Sequence, residues 1–429
     1  MKLTQPKSFV RNKFLWISLA LVLLLACLGI FFGPSLLYSN PLFRAWVQSQ
    51  ISDQSKGMFK FENISGGIFS ANLETLYLDL DGVTSNVRKV ETPQMKASFS
   101  LLPLLQNKLS VTSLTMKAGR LNLDLLGGSS AHLALPVAPS FRLENGEVAI
   151  ANLSGWNLLL SQCNLEARQS GSAESLVISG RFSAATATLG PLKMEKISGE
   201  FRQEKGVLHV KELKAILPGK SQLKLNGTYQ LDAARNITAD LNVDSPDVRS
   251  LLQALDYSDR FSGQAQVSAK VEGSFRPKKP SLKGSGQAKL SQIKPQVTLP
   301  QFPAFNDAAI LKRAASLDKL QGKAEFTLNG DQIQIQSLDL KDDAVRITGT
   351  AQVGFNRSLN SQLLLTGNPG VADEIPNIAR SAFEKDASGN VLIPFALNPS
   401  TRDPQVDVGD VVQKILSNPI KALNPLNIF

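Results

Sequence analysis

The stretch KAEFTLNGDQIQIQSLDLKDDAVRITGTAQVGFNRSLNSQLLLTG, residues 323–367, decides the fold. Apolar and polar residues alternate along it, as Ala324, Phe326 and Leu328 do with the polar residues between them. Successive side chains of a strand point to opposite faces, so this period predicts strands with one apolar and one polar face. Asn329-Gly330 separates two such runs, and an Asn-Gly pair in that position predicts an antiparallel hairpin.

The same alternation extends from Phe59 to the low four hundreds and recurs about every ten residues, which predicts some two dozen strands. Short turns would join them into antiparallel meanders. We predict such turns at Asn145-Gly146, Asn226-Gly227 and Gly349 as well as at Asn329-Gly330, and we interpret Gly284-Ser285-Gly286 as a strand-end turn.

The apolar faces of so many strands must be covered by something. A sandwich or barrel would bury them against each other in a dry core, and this alternative stays open on the pattern alone. Such cores usually draw on large aromatic residues, whereas the chain has only 4 Tyr and 3 Trp and its apolar faces are mainly aliphatic. Aliphatic side chains suit acyl chains, because contact with them needs no directional partner.

Two dozen strands at about 4.8 Å each would give a sheet on the order of 100 Å long, which must twist and curl. We therefore predict a mainly β fold: an elongated, curled antiparallel β-sheet groove, shaped like a taco, with one N-terminal transmembrane helix and a few short amphipathic helices. The residues predicted to line the groove and contact lipid are Leu76, Leu78, Leu80, Leu121, Leu123, Leu125, Leu223, Leu225, Leu241, Val243, Phe326, Leu328, Ile333, Ile335, Val345 and Ile347.

The run Phe14–Phe32 has nineteen residues and no charge, and as a helix it would reach roughly 28 Å, close to the thickness of a bilayer core. Lys2, Lys7, Arg11 and Lys13 precede it without an acidic residue. The positive-inside rule then predicts a single-pass protein with a cytoplasmic N-terminus, and it places the rest of the chain across the membrane.

Two other interpretations of this run remain. A cleaved signal peptide would have an apolar region of about 7–15 residues and a small-residue cleavage site. A lipoprotein signal is suggested by Leu24-Leu25-Ala26-Cys27, although Leu28–Phe32 continues the apolar run where a lipoprotein would become polar. The simplest interpretation of Cys27 is a small apolar residue in a membrane helix.

Neither the composition nor the sequence motifs indicate nucleic-acid binding, metal binding or catalysis. The net charge of +10 falls to +6 without the four N-terminal basic residues (10 − 4), and no basic cluster predicts nucleic-acid binding.

Cys27 and Cys163 would not pair, and His132 and His209 stand apart, so we expect no metal and no cofactor. Nucleophile-elbow, zinc-binding, Walker and dinucleotide motifs are missing from the sequence, and we interpret Asp342-Asp343 as solvated. We expect that the protein is not an enzyme.

Three helices interrupt or flank the strands in this prediction. The first begins at Ser245-Pro246-Asp247, with Ser245 as the N-cap and Pro246 at the first helical position; the second follows Asn306, and the third covers Gly409–Ser417. Trp46 would sit on a further short helix, either in the lipid headgroup layer or against the first strands. The predicted regions are a cytoplasmic tail (1–13), the transmembrane helix (14–38), an interfacial helix (39–56), an N-terminal β-groove region (57–245), a middle β region with short helices (246–320), a C-terminal β region (321–408), and an amphipathic helix with an apolar tail (409–429).

Several segments resemble AsmA-like proteins. They are a membrane helix followed by KFENISGGIF (60–69) and the run 73–80, the segment KASFSLLPLLQNKLSVTSLTMKAGRLNLD (96–124), residues 323–367, and VLIPFALNPSTRDPQVDV (391–408) with the helix after it. The likeness covers most of the chain. It is a pattern of hydrophobicity and turns without a catalytic signature, and the chain is short for that family.

The resemblance implies an inner-membrane-anchored periplasmic protein of a diderm bacterium, whose β-groove carries phospholipid toward the outer membrane. The expected partners are membrane phospholipids, the inner membrane, and an outer-membrane or periplasmic protein. Two alternatives remain. One is an assembly factor that offers sheet edges to outer-membrane proteins by β-augmentation, and the other is an adhesin or scaffold of stacked β domains.

Overall fold

The structure is a computed structural model, and it describes residues 38–54, 59–66, 70–78, 87–91, 94–100, 103, 106, 110–124, 140–153, 156–171, 176–231, 236–257, 261–274, 281–295, 319–373, 383–398 and 405–407. Strands dominate these residues, and almost all of their pairings are antiparallel. The predicted mainly β class is therefore confirmed. The run Phe14–Phe32, Leu80 and Leu125, and the helices predicted after Asn306 and at Gly409–Ser417 lie outside the described residues.

The strands in chain order are β1 Phe59–Gly66, β2 Ser70–Leu78, β3 Val87–Glu91, β4 Gln94–Ser100, β5 Val111–Lys117, β6 Arg120–Asp124, β7 Ser140–Leu153, β8 Trp156–Ser170, β9 Val177–Leu189, β10 Leu192–Glu204, β11 Val207–Leu217, β12 Ser221–Gln230, β13 Asn236–Ser245, β14 Phe261–Ser274, β15 Ser281–Pro295, β16 Leu320–Asn329, β17 Gln332–Lys341, β18 Val345–Gly354, β19 Leu359–Gly367, β20 Glu384–Lys385, β21 Val391–Asn398 and β22 Gln405–Asp407. The helices are α1 Pro41–Gln54, α2 Val248–Ala254 and α3 Pro369–Asp373, with a 3-10 turn at Pro218–Lys220.

The chain forms two compact units. Unit 1 comprises residues 1–149 and 161–180, and unit 2 comprises residues 150–160 and 181–429. The division falls inside the predicted region 57–245, because the long strands β7, β8 and β9 each contribute residues to both units.

Unit 1 departs from a simple meander. Strand β2 pairs with β1 and β4, β4 also pairs with β5, and β3 pairs with β6, all antiparallel. Strand β5 then pairs with β7 in parallel, which differs from the antiparallel expectation. A parallel neighbour requires a longer connection than a hairpin, and here β6 and the chain up to Ser140 lie between the two strands. Met95, Phe99, Leu114 and Leu143 are fully buried in this unit.

Unit 2 is the predicted meander. Each strand from β10 to β18 pairs antiparallel with the strand that follows it, and β19 pairs antiparallel with β21. Most of these strands have 10 to 15 residues. Continuous antiparallel pairing over a broad sheet thus fixes which residues share a face.

Most of the predicted turns lie inside strands. Only Asn329-Gly330 is a hairpin turn, between β16 and β17. Asn226-Gly227 is in the middle of β12, Gly349 faces a bulge in β17, and Asn145-Gly146 is an irregularity within β7, where Asn145 has φ 50°. Gly284-Ser285-Gly286 lies inside β15, which continues to Pro295, rather than at its end. These predictions were wrong because glycine also occurs within strands wherever a bulge or a large neighbour requires space.

Helix α1 packs on β1, and its residues Val47 and Ile51 are fully buried. Trp46 is half-buried and its ring lies 5.7 Å from that of Phe43, whereas Leu42 is 79% exposed. Helix α2 begins after Asp247, whose side chain accepts a hydrogen bond from Ser250 N, so the cap is Asp247 and not Ser245. A search of the described helices for one long and apolar enough to cross a bilayer finds none.

Candidate functional site

The register of unit 2 aligns apolar side chains into rows that cross the strands. Three adjoining rows on one face run from β12 to β18. We call the half-buried apolar residues of these rows the apolar strip: Leu223, Leu225, Leu241, Val243, Val267, Ala269, Val271, Ala288, Phe326, Leu328, Ile333, Ile335, Ala351 and Val353.

Gly286 shows how the strip accommodates its one aromatic ring. Gly286 lies directly opposite Phe326 in the register of β15 and β16. A Cβ at position 286 would be 2.5 Å from Phe326 Cζ and 2.6 Å from the carbonyl oxygen of Ser268. The glycine is therefore needed for the end of the Phe326 ring to lie over the backbone of β15.

The two faces of these strands differ in burial. On β13, Asp240, Asn242 and Asp244 are exposed, whereas Leu241 and Val243 are half-buried, and the same alternation continues on β14, β15 and β17. The polar face is thus open to water. The apolar face is only partly shielded, which differs from a dry sandwich core, where such side chains would be buried.

Polar side chains of neighbouring strands also pair on the exposed face. Ser268 Oγ lies 2.7 Å from Asn242 Oδ1 and donates to it, and Arg346 donates two hydrogen bonds of 2.8 Å to the carboxylate of Asp339. The hydrogen bond from Arg346 holds the pKa of Asp339 below its usual range. A shift of register by one residue would exchange the two faces, so these pairs help to keep the strip on one side.

Toward the C-terminal strands of unit 2, side chains on the same face are buried from solvent. Strand residues there form a cluster with Val371 of α3, and we call it the capped cluster: Ile293, Leu320, Leu340, Val345, Ile347, Leu365, Val371 and Val391. Leu320 and Val391 are 0% exposed. Helix α3 is held by Asn368, whose Oδ1 accepts a hydrogen bond of 3.0 Å from Val371 N. A short helix therefore contributes to covering this part of the face, next to β19 and β21.

The sheet of unit 2 curls. Arg357, in the turn between β18 and β19, makes an ion pair with Asp256, which follows α2. Strand β14 begins five residues after Asp256, at the opposite end of the strands from that turn. In a flat sheet, the turn and the start of β14 would be separated by about five strand spacings of 4.8 Å across the sheet and by roughly 33 Å along a ten-residue strand. Together these two components give a distance on the order of 40 Å. Five extended residues span at most about 18 Å, so the contact requires strong twist and curl.

The predicted lining residues divide into three groups. Those that lie together on the apolar strip are Leu223, Leu225, Leu241, Val243, Phe326, Leu328, Ile333 and Ile335. Val345 and Ile347 lie on the same face but inside the capped cluster. Leu121, in unit 1, is 5% exposed; Leu76 and Leu78 belong to β2 and Leu123 to β6, and their side chains lie outside the described residues.

The prediction omitted several members of the strip. Val267, Ala269 and Val271 alternate with polar residues in the sequence, so the signal was present, but small residues such as Ala288 and Ala351 carry little of it. Only the register shows that they continue the rows between the larger side chains.

Reactive groups are sparse in the part of the chain that the structure describes. It contains no group of three or more His, Cys, Asp or Glu residues arranged to hold a metal ion. Cys163 is buried, and burial raises the pKa of its thiol to about 11, so little reactive thiolate forms at neutral pH. Comparison with protein-family models, curated proteins and solved structures finds no match to this chain.

Proposed function

We propose that the chain is a membrane-anchored periplasmic protein that shields phospholipid acyl chains against the apolar strip and carries phospholipid between the inner and outer membranes. The observation that carries this proposal is the half-buried state of an aliphatic face whose opposite face is fully polar. The curl of the strands supports a groove, because a concave surface can surround a chain on more than one side.

The energetics favour an apolar ligand of low shape specificity. Transfer of one CH₂ group from water to an apolar surface contributes about 0.8 kcal/mol, so a single acyl chain can gain much from a continuous strip. The strip extends over seven strands, roughly 30 Å at about 4.8 Å per strand. Its branched aliphatic side chains offer contact without hydrogen-bonding partners that would select one rigid ligand.

The test is photo-crosslinking in cells with a benzophenone amino acid at Leu223 or Ile335. The matched controls are Gln222 and Gln334, which precede these residues on the same strands and are exposed on the opposite face. We expect phospholipid adducts from the two strip positions and none from the two controls.

Other products would contradict the proposal. Adducts with an outer-membrane protein precursor and no lipid would indicate an assembly factor that acts by β-augmentation. Strip positions that yield no intermolecular adduct would indicate a scaffold whose apolar face is closed within the chain.

A further inference from the structure

Helix α2 lies at one end of the strands of unit 2, where it contacts β14 and the 3-10 turn Pro218–Lys220. Gly219, with φ 69°, allows this approach, because a Cβ there would lie 2.9 Å from Ser250 Cβ. Asp247 accepts hydrogen bonds from Ser250 N at 3.4 Å and Ser250 Oγ at 2.5 Å. The start of the helix is thus fixed beside the turn.

Arg249 follows this cap and has an incomplete set of partners. Its Nε is shielded from solvent without a hydrogen-bond partner, the one such side-chain nitrogen or oxygen among the described residues. The closest carboxylate in the sequence, Asp247, already accepts two hydrogen bonds from Ser250. A cationic N–H group that has lost its water and has no acceptor is unfavourable, so the site lacks an anionic or polar acceptor.

The apolar face becomes polar next to this helix. Ser221 and Ser245 lie two residues beyond Leu223 and Val243 on β12 and β13, and therefore on the face of the strip. They are 0% and 1% exposed, and their hydroxyl oxygens are 2.7 Å apart. On β12 and β13 the strip thus ends in two buried hydroxyl groups, and Arg249 comes four residues after the second.

This order of chemistry along the strand matches an amphiphile with an anionic head. We propose that Arg249 binds the phosphate group of a phospholipid whose acyl chains lie on the apolar strip. A guanidinium group is well suited to this, since its planar N–H groups can donate to two phosphate oxygens at once. The inference rests on the proposed function, and it adds the class of headgroup and the end of the strip at which the headgroup lies.

The test measures lipid uptake by the detergent-solubilised full-length chain. The protein is incubated with mixed micelles that contain phosphatidylglycerol and diacylglycerol with identical acyl chains, re-purified, and analysed for bound lipid by mass spectrometry. We expect the natural protein to retain phosphatidylglycerol about tenfold over diacylglycerol, as a charge-assisted contact would give. Arg249→Gln should reduce this ratio to about twofold or less with unchanged diacylglycerol uptake, and Arg249→Lys should retain part of the preference.

Lys220→Gln is the matched control, since Lys220 is an exposed cation in the adjacent 3-10 turn. It should leave the ratio unchanged, and an equal loss in both variants would overturn the inference in favour of a general charge effect. Circular dichroism and thermal unfolding check that each variant folds.

A further arm uses inorganic phosphate without lipid. A thermal stabilisation by phosphate that requires Arg249, without any preference between the two lipids, would overturn the inference and assign the group to a free anion. If the natural protein and Arg249→Gln take up both lipids equally, the result contradicts the headgroup inference but agrees with the proposed lipid-binding groove. If the natural protein takes up neither lipid, the proposed function itself fails.

Discussion

The capped cluster and the apolar strip lie on one face of one sheet, and they are built from the same kind of residue. Val345 and Ile347 in the cluster and Ile333 and Ile335 in the strip alternate with polar neighbours in the same way. The first pair is 5% and 8% exposed, whereas the second pair is only half-buried. The two regions differ in what packs on them, since the cluster gains Val371 of α3 and is also in contact with Phe383 and Phe395.

The largest expected effect is in thiol reactivity, and it compares the strip with Cys163, a buried residue of β8 in unit 1 that lies outside both regions. In a chain whose natural cysteines are replaced by Ala, a thiol introduced by Ile335→Cys should react with a disulfide reagent on the order of a hundredfold faster than natural Cys163 does in a Cys27→Ala chain. The reason is that burial raises the pKa of Cys163 to about 11, against an ordinary value of about 8.5. Val345→Cys serves as the control from the capped cluster, and it should be slow. Equal rates at positions 335 and 345 would show that the strip is as closed as the cluster.

The next difference is the cost of a cavity. Leu320→Ala should lower the free energy of unfolding by about 2–5 kcal/mol, because Leu320 is 0% exposed and its neighbours cannot collapse fully. Ile335→Ala removes a side chain that is only half-buried and should cost about 1–2 kcal/mol. Urea unfolding of the full-length chain in mild detergent measures both. A cost for Ile335→Ala as large as that for Leu320→Ala would contradict the distinction.

The surface of the strip can be disturbed without removing any group. Gly286→Ala should cost about 1–3 kcal/mol, since the added methyl group would overlap the ring of Phe326 and the carbonyl oxygen of Ser268. Ala288→Gly, at a neighbouring strip position, is the reverse substitution. It increases the backbone entropy that is lost on folding and should cost no more than about 1 kcal/mol. A neutral Gly286→Ala would show that the ring does not lie over the glycine.

The smallest effect concerns the polar face opposite the strip. Asp339 has a pKa below its ordinary value of about 3.9, because Arg346 donates hydrogen bonds to its ionised form. A depressed folded pKa contributes stability above about pH 3.9, and this contribution is lost as pH falls through the folded pKa. The Asp339→Asn variant should therefore lose less stability than the natural protein between pH 4 and pH 2, as followed by urea midpoints. Parallel pH profiles would mean that the exposed pair contributes nothing.

Much of the architecture could be predicted from the alternation of apolar and polar residues along the chain. Alternation at Leu223, Leu241 and Ile335 predicted both the strands and their shared face, since a period of two has only one regular structure that can satisfy it. The turn predictions were wrong at Asn226-Gly227 and Gly286. A glycine can be required either by a turn conformation or by a neighbouring group that needs the space of a side chain, and the sequence does not distinguish the two. The parallel pair of β5 and β7 is also beyond local patterns, since strand order is decided by contacts between distant segments.

By itself, the sequence determined that this protein is built of strands with one apolar and one polar face, because side-chain alternation is a local property of each strand. Only the tertiary structure decided which apolar residues are covered. Helix α3 adds Val371 to the capped cluster, and the curl that brings Arg357 to Asp256 depends on twist accumulated over many strands. Coverage and curvature arise from contacts between residues far apart in the chain, and no local pattern records them.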